Sequence, residues 1–151
     1  MSRDLYSRTL AAQSLRPVAI TSSAKDSGNV DLFGFEGALV VVSFGDIDEM
    51  GASPVGGAQI AVKAEHADDD GTGSAGSYTN AAAADIVGLT PSSGIVATVT
   101  TDVSPVQFSY VGGKRFLKVT LTPTSLTNGG PVAITIVKNG ARHQSPHDTQ
   151  V

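Results

Sequence analysis

The sequence predicts an all-β chain, an antiparallel β-sandwich or jelly-roll-like single domain with N- and C-terminal arms. Segments of β-branched and small apolar residues alternate with a period of two, as half-buried strands do. Clusters of Gly, Asn, Asp and Pro interrupt them at short spacing, the punctuation of sandwiches and barrels. Charged residues make up only 16% of the 151 residues, too few to coat the outer faces of long surface helices. A chain of this length fits one domain and buries a core without a metal or disulfide staple.

Residues 1–15 read as an N-terminal arm, either a short amphipathic helix capped by Ser2, with Leu5, Thr9 and Ala12 on one face, or an extended segment. Residues 16–140 read as the sandwich. Val18–Thr21 and Val30–Phe33 are short strands flanking a turn at Lys25–Asn29. Ala38–Phe44 is an unbroken apolar run, the pattern of a central strand covered on both faces. A long loop follows from Gly45 to Gly57. Gln59–Glu65 alternates, with Ile60, Val62 and Ala64 on one face. Asp68–Gly76 is a loop, and the Ala81–Ala84 run, which permits a helical turn, reads as a loop leading into a short strand at Asp85–Val87. Ile95–Thr101, Val106–Val111, Phe116–Thr122 and Val132–Val137 complete the strands. Gly112-Gly113 marks a tight hairpin turn and Asn128–Pro131 a further turn. Residues 141–151 are a polar tail without a pattern.

Composition excludes several function classes. The net charge is −4 and the ten Lys and Arg residues are scattered, Lys114–Arg115 being the closest pair. A nucleic-acid partner is not expected, because phosphate binding needs a basic stripe. With no cysteine, thiolate metal sites, disulfides and thiol catalysis are closed. The N-terminus lacks the apolar stretch of a signal peptide, and the longest apolar run, Ala38–Val42, is too short to cross a bilayer. The expectation is a soluble protein made in the cytoplasm, with no membrane partner.

No motif selects a reaction. His143 and His147 are four apart, but that spacing holds a metal only on a helix, and Pro146 interrupts the segment. Asp68-Asp69-Asp70-Gly71 has the look of a calcium loop, yet the twelfth position from Asp68 is Thr79 where an EF-hand places Glu. Thr72-Gly-Ser-Ala-Gly76 lacks the first glycine of a nucleophile elbow, and Gly112-Gly-Lys-Arg115 is too short for a phosphate loop. Aromatics are 5% with no Trp, which disfavours glycan or single-strand stacking platforms. Phe108, Tyr110 and Phe116 fit the core or cross-strand pairs. The expectation is no catalytic, cofactor or metal site.

One resemblance spans nearly the whole chain. It is carried by Val30-Asp-Leu-Phe-Gly-Phe35, Ala38-Leu-Val-Val-Val-Ser-Phe-Gly45, Glu65-His-Ala-Asp-Asp-Asp-Gly71, Tyr78-Thr-Asn80, Val106–Val119 and the close before Gly140-Ala-Arg-His143. In these features the chain resembles small structural proteins encoded among the head genes of tailed bacteriophages and related particles. The resemblance implies a virion component, foremost a capsid decoration (cement) protein bridging major capsid subunits from outside, and a homo-oligomer with a trimer favoured. It carries no catalytic residues. The partner-binding candidates are then the arm residues Arg3, Leu5, Tyr6, Arg8, Leu10, Leu15, Arg142 and His143. Other classes compatible with the pattern are a tail, head-spike or fibre-base subunit, a carbohydrate- or cell-surface-binding sandwich and, with no residues to support it, an enzyme.

Overall fold

The computed structural model describes residues 8–51 and 53–141. Their strands, numbered along the chain, form two antiparallel sheets packed face to face. Sheet A has five strands in the order β1 (Thr9–Ile20), β11 (Gly130–Asn139), β4 (Gly37–Phe44), β9 (Val106–Tyr110) and β7 (Ile86–Val87). Sheet B centres on β10 (Phe116–Thr124) and β5 (Gln59–Ala67). The short strands β2 (Lys25–Asp26) and β3 (Val30–Asp31) pair with β10. On the far side, β6 (Thr79–Asn80) and β8 (Ile95–Val99) pair with β5. The order β1–β11–β4–β9 against β2/β3–β10–β5–β8 is that of a jelly roll, in which most connections cross from one sheet to the other.

Period-two patterning places the core. Ile60, Val62 and Ala64 of β5, Leu117, Val119 and Leu121 of β10, and Ile134 and Ile136 of β11 are fully buried between the sheets. Val40 and Val42 of β4 and Phe108 and Tyr110 of β9 close the core from sheet A. One end of the sandwich is held by loops. The Glu49 carboxylate accepts N–H bonds from Thr127, Asn128 and Gly129 at 2.8, 2.6 and 2.9 Å. Gly129 has a φ of 65°, and Gly129 and Gly130 run so close to Ile20 and Asp46 that a Cβ on either would overlap their carbonyl oxygens.

Four readings of the sequence are corrected here. The segment assigned to an arm is in part sheet: Thr9–Ile20 pairs with β11 from Thr9↔Asn139 to Ile20↔Gly130, so residues 9–15 are a strand, neither a helix nor an arm. Register shifts at Gln13/Leu15 and Leu15/Val18 break its alternation. Lys25–Asp26 is a short strand where a turn is expected, because it finds Thr120 and Leu121 as partners. Gly112-Gly113 joins no hairpin. β9 lies in sheet A and β10 in sheet B, so the glycines carry the chain across the sandwich, with Gly112 against the Tyr110 ring. Finally, β4 is central but only one of its faces is covered by the described residues. Val40 and Val42 face the core, while Leu39 and Val41 face outward and remain partly exposed.

Candidate interaction surfaces

The end of the sandwich opposite Glu49 gathers the starts of β1, β4 and β10 and the ends of β5, β9 and β11. Arg115, the residue before β10, organises it. Its Nε and Nη2 donate to the two oxygens of Asp31 at 3.0 and 2.8 Å, and its Nη1 pairs with Asp69. The same guanidinium lies over the rings of Phe33 and Phe116, at 4.9 and 5.0 Å from their centroids. These bonds hold the Asp31 carboxyl below its ordinary range, against burial, which pushes it up. Lys114 pairs with Asp68. One basic pair therefore ties the end of β3 to the loop after β5, which explains its place at the crossover.

Besides these ion pairs, the acidic loop carries bonds of its own. Asp69 accepts N–H bonds from Gly71 and Gly73 at 2.7 and 3.0 Å. Asp70 accepts from the Thr72 hydroxyl at 2.6 Å and from the Thr72 amide at 2.8 Å. These donors hold both carboxyls below their usual range. Among the described residues, no group of three or more His, Asp or Glu side chains is arranged to hold a metal ion. At this same end Phe33 and Val111 expose 75% and 51% of their surface, and the Ala141 amide donates to the Arg8 carbonyl. The first and last described residues thus lie side by side, at the same end of the sandwich as these exposed apolar side chains.

His66, the one histidine among the described residues, is a structural pin. It is buried on β5 with Nδ1 at 3.0 Å from the Tyr110 hydroxyl on β9. That hydroxyl accepts the Lys114 amide at 3.3 Å as well as pairing with His66 Nδ1. Burial pushes the Tyr110 phenol up to about 12, and it stays protonated at neutral pH. Asp85, whose Oδ2 lies 3.8 Å from His66 Nδ1, also caps the Ala82 amide. The contact joins the two sheets behind the crossover. Replacing Tyr110 by Phe leaves His66 Nδ1 and the Lys114 amide without their partner. We expect a loss of about 1–3 kcal/mol in urea unfolding; an unchanged midpoint would refute the pin.

The second surface is the outer face of sheet A. The register aligns Ala11, Val137, Leu39, Ser109 and Val87 in one row across all five strands. The next row holds Thr135, Val41 and Gln107, and a third holds Ala133 and Ser43. No residue in these rows is charged. The outer face of sheet B is different. There Lys63 and Lys118 pair with Glu65, at 2.9 and 3.5 Å.

The predicted partner-binding residues divide between two places. Arg8 is exposed at the start of β1, Leu10 lies on β1 opposite Lys138, and Leu15 packs partly on the core beside the bulges. Arg3, Leu5, Tyr6, Arg142 and His143 lie outside the described residues, as does His147. Sequence reasoning missed Phe33, Val111 and the uncharged face. The last was signalled by the apolar run of β4, which asks for cover on both sides.

No family model matches the chain, and no curated protein matches it. Among solved structures, a protein of Bacillus endospore appendages, described as a family of disulfide-linked pili, aligns with 88% of this chain and 89% of its own at 14% identity and a TM-score of 0.40. The present sequence contains no cysteine.

Proposed function

We propose that this chain is a non-catalytic structural subunit of a virion, and within that class a capsid decoration (cement) protein attached to the outer surface of the major capsid lattice. The observation that carries the reading is the end of the sandwich where Arg8 and Ala141 are hydrogen-bonded neighbours and where Phe33 and Val111 are also exposed. A rigid jelly roll with Arg8 and Ala141 adjacent suits a clamp, because short segments flanking one contact add avidity without enlarging the core. The resemblance to phage head proteins supports the same reading. Arg3, Leu5, Tyr6, Arg142 and His143 then serve as the reaching residues, while Leu10 and Leu15 belong to the scaffold.

Co-sedimentation with empty particles of the neighbouring major capsid protein tests this. Full-length protein should saturate at a fixed ratio to the capsid subunit. A chain lacking residues 1–7 and 142–151 should bind at least about tenfold more weakly, a loss of about 1.4 kcal/mol, with an unchanged unfolding midpoint. Absence of binding by the full chain would refute the proposal and move the weight to a tail or fibre-base subunit.

A further inference from the structure

We propose that Asn128–Gly129 is a latent self-modification site, closed to reaction in the folded chain by Glu49 and open to it in any chain that has lost that contact. The chemistry is that of an Asn–Gly pair. The Gly129 nitrogen, once it yields its proton to solvent hydroxide, can attack the Asn128 side-chain carbonyl carbon, Cγ. The N–Cγ bond forms, the Cγ–Nδ2 bond breaks and ammonia leaves, which gives a cyclic imide. Water then cleaves the bond from the imide nitrogen to one of its two carbonyl carbons. Cleavage at Cγ gives Asp. Cleavage at the main-chain carbonyl gives isoaspartate, whose main chain runs on through Cβ and Cγ. Glycine leaves the attacking nitrogen unshielded, because it has no side chain. Asn128 is exposed to water and base.

Glu49 blocks the first step. Its carboxylate accepts the amides on both sides of Asn128, that of Asn128 itself at 2.6 Å and that of Gly129 at 2.9 Å, with Thr127 completing the cradle at 2.8 Å. The nitrogen that would attack is therefore a charge-assisted donor. Taking its proton would set an amide anion against a carboxylate. Attack also requires turning the Asn128–Gly129 peptide until its nitrogen reaches Cγ, and that turn breaks the bond to Glu49. The Gly129 carbonyl is held as well, accepting the Asp48 amide at 3.3 Å. The isoaspartate product is shut out of the native state. It inserts an extra main-chain carbon just before Gly129, where even a Cβ on Gly129 or Gly130 would overlap the carbonyl oxygens of Ile20 and Asp46. The reaction thus removes chains that fail to close this end of the sandwich and spares those that close it.

The test is a time course at mildly alkaline pH, below the unfolding midpoint, read by peptide mapping with isoaspartate detection. A second pair, Asn139–Gly140, is the internal comparison. It lies at the far end of β11, where Asn139 sits between Thr9 and Gly37 in the ladders. Unfolding in urea should speed conversion of Asn128 at least about tenfold over the folded wild type. Folded Glu49→Gln should convert Asn128 at least about tenfold faster than the wild type and leave the Asn139 rate unchanged. Acceleration of both asparagines alike means general loosening and overturns the guard, as does acceleration of neither. A folded wild type that converts Asn128 as fast as the urea-unfolded chain overturns it without any variant. When the urea-treated wild type is refolded, isoaspartate at position 128 should be depleted from the native size-exclusion peak. Equal partition between native and misfolded fractions overturns the exclusion.

Discussion

Gly129→Ala is expected to cost about 3 kcal/mol or more and to lower the thermal midpoint by about 10 °C. Two effects add. Gly129 sits at a φ of 65°, where a Cβ is strained against its own backbone. The new methyl would also overlap the Ile20 carbonyl oxygen, which belongs to the last pair of the β1–β11 ladder, Ile20↔Gly130. Relief requires moving one strand away from the other or dragging the loop off Glu49, whose carboxylate holds the amides of Thr127, Asn128 and Gly129. The control is Gly113→Ala. That glycine has open space around its Cβ position and no positive φ, and its midpoint should move by less than about 0.5 kcal/mol. Equal effects at the two positions would refute the argument from close approach.

Acid should destabilise the fold steeply. Five carboxylates have folded-state values below their ordinary range. Asp31 is held there by Arg115, Glu49 by the Asn128 and Gly129 amides, Asp69 by the Gly73 and Gly71 amides, and Asp70 by Thr72. Burial pushes Glu65 upward, and Lys63 and Lys118 together outweigh it. A depressed folded value means that the native state favours the ionised form more than the unfolded chain does. The stabilisation is therefore fully present above the unfolded carboxylate values, near pH 4, and disappears as pH falls through the lower folded values. The urea midpoint should be flat from pH 7 to about pH 5 and fall below about pH 4. Glu49→Gln should make that fall shallower. A midpoint independent of pH down to about pH 2 would contradict the assigned bonds.

What the sequence disclosed follows from what is local. β5, β10 and β11 are legible because each buries alternate residues, so Ile60, Leu117 and Ile134 announce their faces. β1 is not. Its register shifts on either side of Leu15 destroy the period of two, and Arg16 and Pro17 look like loop chemistry, although at a sheet edge they are tolerated. Its partner β11 lies at the other end of the chain, where no local pattern points to it. The crossover at Gly112 looks like a hairpin because two glycines between two strands look alike in both cases. Which sheet each strand joins is decided by packing. The Asp31–Arg115–Asp69 cluster was equally hidden, since its members meet only once β3, β5 and β10 are side by side. For the interaction surfaces, the β4 run reads as a strand covered on both faces, whereas among the described residues only the face of Val40 and Val42 is covered.

The position of β11 has a kinetic consequence. It lies between β1 and β4 in sheet A, yet it follows every other described strand in the chain. Until it arrives, β1 has no partner and β4 offers one open edge, while β5 with its neighbours in sheet B waits for β10. The β1–β11 and β11–β4 ladders therefore form last, and the first of them closes the longest loop between paired strands. The nascent chain passes through an interval in which the unpaired β1 and the open edge of β4 in sheet A are available to other chains. Production in the cell is then limited by completing each copy before its neighbours reach it, and lower temperature or slower expression should raise the folded yield more than any change to the mature surface.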